Sequence, residues 1–362
     1  MSAAQANQRP SAVFSFCLPS SIEPGVVTLI AIISATCLFI SKQLIGRFLK
    51  GRVSAHDRYA TKKCPNPDCI RCRRYAELDA SARSRLPWIL SAHDLTLRGN
   101  SDRGHSHSTI SFGRHSLSRV SQAIRVGPNV PSEMRRDDGL SPCANQYPTI
   151  LLIQGLTASS IITSQHHAAC KHLEDGVLRN HMIQEYLLAQ SITGRGWLSN
   201  DVSGETGSWK VLHLINQGVW VSSNVSLCPI TAAAVRSLPG IMIGSIFGNA
   251  FISVLAPGTT VESHCGPSNA RHRLHFPLVV PTATARSFPP QLKLPDRRTT
   301  WTEGKCFIFD DSLVHSVEYP NPSMAEDVHQ PRVVLIADLW HPALSTIERE
   351  VIVDLYPSMP LK

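Results

Sequence analysis

The chain has 362 residues, 43% of them hydrophobic, with 35 Lys+Arg, 27 Asp+Glu, 25 Pro, 21 Gly and 10 Cys. That length leaves room for a membrane tether plus one sizeable domain, or for two modest domains. The apolar content excludes a wholly disordered chain, and the scattered Gly and Pro exclude collagen-like and coiled-coil architectures. The positive charge is local: 19 basic against 9 acidic residues lie between Ile40 and Ser141. Residues 142–362 hold 15 basic and 17 acidic residues, so that half gives no electrostatic reason to expect nucleic-acid binding.

In chain order, residues 1–23 form a short N-terminal tail. The run from Pro24 to Ile40 carries no charge, and residues 24–45 are long enough to span a bilayer as one helix, with Lys42 snorkelling to the boundary. A cleaved signal peptide is disfavoured by the late start and by Lys42 where a small-residue cleavage site would lie. A buried core helix is disfavoured because the run is apolar on every face. Basic residues crowd the C-terminal flank, which by the positive-inside rule keeps the rest of the chain cytosolic. The sequon Asn224-Val225-Ser226 argues for the opposite side. Residues 46–145 read as a basic juxtamembrane and linker region rich in Cys, Ser, Arg and His. Within it, Cys64, Cys69 and Cys72 follow a C-x4-C-x2-C spacing that would hold zinc or an iron–sulfur cluster if a fourth ligand joined them. The alternative is an idle or disulfide-forming cysteine group. No period persists from Leu90 to Ser141, so the expectation there is a flexible, solvated linker.

The next element is a helix over Thr163–Gln190, with Leu173, Val177, Met182, Ile183, Leu187 and Leu188 as its apolar face. From Trp209 onward, short alternating runs predict strands at Trp209–Asn216, Ala250–Leu255, Arg271–Val280, Lys305–Phe309 and Arg332–Leu339. No helical pattern is evident between them, which suggests a sandwich or barrel able to hold a small ligand. The domain covers 146–362, with a β core at about 208–345.

Three segments carry chemistry. In His264-Cys-Gly-Pro-Ser-Asn-Ala-Arg-His-Arg-Leu-His275, alternation along a strand sends Arg271, Arg273 and His275 to one face, three potentially cationic groups suited to an anion. In Phe307-Ile-Phe-Asp-Asp-Ser-Leu-Val-His315, a second histidine lies about 50 residues after His264. Two neutral imidazoles on separate strands suit a non-haem Fe(II) site, although Gly266 stands where a facial triad carries its carboxylate. Asp311 is a lesser candidate for that carboxylate. In Pro331-Arg-Val-Val-Leu-Ile-Ala-Asp-Leu-Trp-His-Pro342, an inward Arg332 would grip a carboxylate at two points. There is no nucleophile elbow and no P-loop.

These three segments, with Trp209–Gly218 and Phe247–Ser253 upstream, resemble the aspartyl/asparaginyl β-hydroxylases. The tether and cysteine cluster are similar to the membrane-bound aspartate β-hydroxylase domain-containing subgroup. The resemblance implies a mainly β, double-stranded β-helix (jelly-roll) oxygenase with a packing helix. It also implies Fe(II), 2-oxoglutarate and O2, and hydroxylation of Asp or Asn β-carbons in a polypeptide. On the matching positions, His264 and His315 are implied metal ligands and catalytic residues, and Trp209, Ser253, Arg273, His275 and Arg332 are implied to hold 2-oxoglutarate. The implied setting is single-pass in a secretory-pathway membrane. The competing readings are a catalytically inactive membrane-bound jelly-roll binding protein and, less favoured, a cupin with structural zinc.

Overall fold

Alternation with a period of two runs through the strands of the C-terminal half, and the two faces it generates face two different cores. Along Arg332–Trp340 (β12), Val333, Leu335, Ala337 and Leu339 enter one apolar cluster, and Val334 and Ile336 enter another. The computed structural model describes residues 70–101, 107–127, 146–158, 160–163, 168–192, 196–200, 207–281, 288–321 and 330–358. The expected span at 24–45, Cys64 and Cys69 lie outside them. Among the described residues no helix is long and apolar enough to cross a membrane.

The larger sheet joins β1 (Ile162–Thr163), β10 (Phe307–Phe309), β7 (Arg271–Val279), β12, β5 (Ala250–Leu255), β3 (Trp209–Asn216) and β2 (Trp197–Asn200) in that order, with β4 (Val219–Trp220) paired to β3. The smaller sheet runs β6 (Thr259–His264), β11 (His315–Tyr319), β8 (Gln291–Lys293) and β9 (Arg298–Thr300). Every strand pairing is antiparallel. The two sheets enclose Val211, Phe251, Val261, Leu292, Phe309, Val317 and Ile336, which makes a double-sheet β-sandwich of jelly-roll type. Pro277, inside β7, withholds a ladder donor; the β7–β12 register shifts beside it, between Val333 and Val334, and absorbs the loss.

The outer face of the larger sheet is covered by helices. The single helix expected over Thr163–Gln190 is instead two, α3 (Ala168–Leu173) and α4 (Gly176–Ser191). They part where Asp175 caps α4 by accepting from the amides of Val177 and Leu178. The buried face of α4 also differs from expectation: Met182, Glu185, Tyr186 and Ala189 point inward, whereas Val177, Leu187 and Leu188 are exposed. Two short helices, α5 (Ser222–Leu227) and α6 (Pro229–Arg236), do intervene between strands. The buried Glu185 caps the second of them, accepting from the amides of Ile230 and Thr231.

The region expected to be a loose linker is corrected most. The described residues between Leu90 and Ser141 fall in the end of α1 (Ile70–Ser101) and in α2 (His107–Val126), and both helices dock on the C-terminal helix α7 (Thr346–Leu355). Leu78, Ala82 and Leu86 on α1, and Leu117, Val120, Ala123 and Ile124 on α2, share a core with Val351, Ile352, Leu355 and Phe247. Arg119 binds both carboxylate oxygens of the fully buried Glu348, which also closes the capping box of α7 with Ser345. Arg85 donates to the carbonyls of Asp354 and Leu355 at the other end of α7, where the helix leaves acceptors unpaired.

Candidate active site

His264 ends β6 and His315 opens β11, and the pairing register sets them directly opposite each other. Their ring centroids are 4.2 Å apart. Each Nδ1–H donates to a carbonyl two residues earlier, His264 to Glu262 at 2.7 Å and His315 to Leu313 at 2.8 Å. A carbonyl can only accept, so both rings are Nδ1–H tautomers, with the Nε2 lone pair available to a metal. Burial lowers the pKa of His264. Burial, reinforced by His264, takes His315 down to about 3. Both imidazoles are therefore neutral at physiological pH, as ligation requires.

Gly266 lies beside this pair. A Cβ built on it would meet the Asp311 carboxylate at 2.5 Å, so the space that an acidic side chain at 266 would need is already filled by Asp311. Asp311 lies between β10 and β11 and is fully buried. Burial opposes its charge, but Arg271 and Arg273 outweigh that and hold the carboxyl well below its usual range. Arg271 grips it through Nε at 3.2 Å and Nη2 at 2.5 Å, and Arg273 reaches it from 3.2 Å. Asp338 takes Arg271 Nη1 at 2.9 Å and Arg273 Nε at 2.9 Å. The expected trio of cations is thus corrected: two guanidinium groups are neutralised by two buried carboxylates. The third member, His275, is neutral, its pKa pushed well below the usual value by burial and then by Arg332 and Arg273.

The charge left over is Arg332. No carboxylate among the described residues pairs with it, and its Nε has no hydrogen-bond partner there. Burial lowers its pKa to about 9, which still leaves it a cation at neutral pH. Its Nη2 donates to Ser253 Oγ at 2.9 Å, and Trp209 Nε1 donates to the same oxygen at 3.1 Å. The guanidinium carbon sits 4.5 Å from the centroid of the Trp301 ring. Trp301 Nε1 donates to His275 Nδ1 at 3.0 Å, which leaves the His275 proton on Nε2 as a donor.

Trp209, Ser253, His264, Arg273, His275, His315 and Arg332, the seven residues expected from sequence, all line one cavity between the two sheets. Phe251, Val261, Leu292, Phe309, Val317 and Ile336 form its apolar walls. Trp301 and Asp338 were not anticipated. An acid inside the β-branched run Val333–Leu339 signals a buried partner, and Arg271 and Arg273 two residues apart are that partner. Two imidazoles carrying available Nε2 lone pairs at one wall, and at another a guanidinium with no carboxylate partner among the described residues, make this cavity a candidate metal-and-anion site within a jelly roll.

Comparison with known proteins agrees with this class. Residues 181–342 match the Aspartyl/Asparaginyl beta-hydroxylase family model, in line with the resemblance carried by the motifs. The chain is 39% identical over 158 residues to human "Aspartate beta-hydroxylase domain-containing protein 2", a match covering 44% of this chain and 40% of that protein. It is 32% identical over 145 residues to human "Aspartyl/asparaginyl beta-hydroxylase", covering 40% of this chain and 17% of that protein. The match thus spans two-fifths or less of these relatives' own length. Among solved structures, an oxidoreductase of the 2OG-Fe(II) oxygenase family from Burkholderia pseudomallei aligns at a TM-score of 0.28 and 10% identity, over 44% of this chain and 79% of that one. That likeness is too slight to bear on the fold, which rests on the strand pairing above.

Proposed function

We propose that this chain is an Fe(II)- and 2-oxoglutarate-dependent dioxygenase that hydroxylates the β-carbon of Asp or Asn in a polypeptide. In this reading it is tethered to the bilayer by one span at 24–45, with the domain on the lumenal side of a secretory-pathway membrane and no nucleic-acid partner. The observation that carries the proposal is the coexistence, in one cavity, of two neutral imidazoles with Nδ1 satisfied and one buried guanidinium without a counter-charge.

The donor set fits the cofactors. His264 and His315, two neutral imidazoles with free Nε2 lone pairs, would hold Fe(II). Bound Fe(II) would supply the activation of O2 that couples decarboxylation of 2-oxoglutarate to succinate with oxygen insertion into a C–H bond. The chain's own residues orient and exclude. Arg332 and Ser253 would take the carboxylate remote from the metal, with the flat Trp301 face setting the plane of the guanidinium. His275 would add its Nε2–H, and Trp209 closes the edge through Ser253. Phe251, Leu292, Phe309 and Ile336 keep water from the methylene stretch between the carboxylates. Arg273, fastened to Asp338 and Asp311, faces the cavity as part of a neutral rigid wall.

The test is succinate release from 2-oxoglutarate by the full chain supplied with Fe(II). Release from wild type that falls to background in His315→Ala is the expected result. Tight metal binding without any succinate, with or without Asp- and Asn-containing peptides, would overturn the enzyme in favour of a binding module.

A further inference from the structure

Helix α1 reaches the charged cluster behind the metal site. The Tyr75 ring lies 6.1 Å from that of Phe247, and the Tyr356 ring lies 4.9 Å from it. Phe247 is fully buried, and its carbonyl accepts from Arg271 Nη1. The same guanidinium grips Asp311 through Nε and Nη2, and Asp311 fills the space over Gly266, two residues beyond His264. Burial disfavours the Arg271 charge; Asp311 and Asp338 sustain it. A residue more than a hundred positions before the start of the family match thus packs on the residue whose carbonyl holds Arg271.

We infer that Tyr75 is a positioning residue for the active site, bracing Phe247 and Arg271 so that Asp311 stays seated beside His264 and His315. The functional half of this inference rests on the oxygenase reading; the bracing itself does not. The catalytic unit accordingly begins at about residue 70, and α1 is part of it. No described side chain of α1 lines the cavity, so Tyr75 acts through Phe247 and Arg271.

The experiment compares wild type, Tyr75→Ala, Tyr75→Phe and Val120→Ala as full chains in detergent. The last removes methyl groups from the same docking core, but on α2. Amide hydrogen exchange of the metal-free proteins is followed at Gly266, Ser312 and Leu313, whose N–H groups bond to the oxygens of Asp311 or Asp310. Succinate release is measured alongside, with kcat and the KM for 2-oxoglutarate separated. Tyr75→Ala should speed exchange at these three amides and lower kcat by about tenfold to a hundredfold, the range expected for a misplaced supporting group. KM should hold, since Arg332 and Ser253 are untouched. Tyr75→Phe should recover most of both effects because it keeps the ring against Phe247. Val120→Ala should lower the melting temperature yet leave kcat and these amides as in wild type. Exchange unchanged in Tyr75→Ala, or an equal effect of Val120→Ala on kcat, overturns the inference. A wild type that releases no succinate sinks the oxygenase reading instead, and the exchange data alone then decide the bracing.

Discussion

The arginine that matters most for anion binding is the one whose charge nothing else in the cavity neutralises. Arg271 and Arg273 answer to Asp311 and Asp338, whereas among the described residues Arg332 is held by a hydroxyl and an aromatic face. Arg332→Lys should therefore raise the KM for 2-oxoglutarate by about tenfold or more while leaving kcat at saturation near wild type. An ammonium cannot make the two-point contact or stack on Trp301. Titration of 2-oxoglutarate against turnover checks this. Gly266 supplies the second test at this scale. Gly266→Asp drives a new carboxylate into one already fixed by two arginines, and should destabilise the domain by about 3 kcal/mol or more. The double change Gly266→Asp with Asp311→Gly should restore more than half of that in thermal denaturation, since it moves the acid from one strand end to the other. The histidines and Arg332 were legible in the sequence because each stands in a motif with few alternatives. Trp301 was not: it sits in a turn-rich stretch, Trp301-Thr-Glu-Gly, that reads only as a break between strands.

At the scale of elements, strands with strict alternation were readable almost to the residue. Those at Trp209–Asn216 and Ala250–Leu255 coincide with β3 and β5, and β12 extends one residue beyond its expected end. Short strands such as Gln291–Lys293 and Arg298–Thr300 carry too few residues to show any period. The helices α1 and α2 escaped for a different reason. Each buries a single narrow stripe, Leu78-Ala82-Leu86 in one and Leu117-Val120-Ile124 in the other, among arginines, serines and histidines that drown the apolar signal. What makes them fold is the surface they find on α7, which the local sequence does not contain. A fragment starting at His172 would strip that surface and expose Val351, Ile352, Leu355 and Phe247. It is expected to aggregate, or to melt well below a fragment starting at Ile70; size-exclusion chromatography and a thermal scan of the two compare them directly.

For the molecule as a whole, buried histidines tie stability to pH. His264, His275, His315 and His341 all have lowered pKa values, with burial the main cause, and His315 reaches about 3. Unfolded, each would take up a proton near pH 6.5. Between that value and their native pKa values the unfolded chain holds more protons, so stability of the metal-free protein falls as pH drops below about 6.5. Asp310 works in the other direction: burial raises it to about 7, so it holds an extra proton in the native state over the upper part of this range. One carboxyl against four imidazoles leaves the net slope positive. His315→Gln should flatten the slope by about 1.4 kcal/mol per pH unit, one proton's worth, in denaturant titrations between pH 4 and 6.

The Asn224 side chain carries a consequence of another kind. It is 4% exposed, donates its Nδ2–H to the His213 carbonyl at 2.8 Å, and its Oδ1 fills the space above Gly196. An oligosaccharide on that nitrogen and a closed β3–α5 corner exclude each other. Any sugar transferred there must arrive before the corner shuts and would then prevent its shutting. For a domain in the lumen, a gel-mobility assay of this sequon consequently times folding against oligosaccharide transfer, and there a bare asparagine marks a chain that closed first.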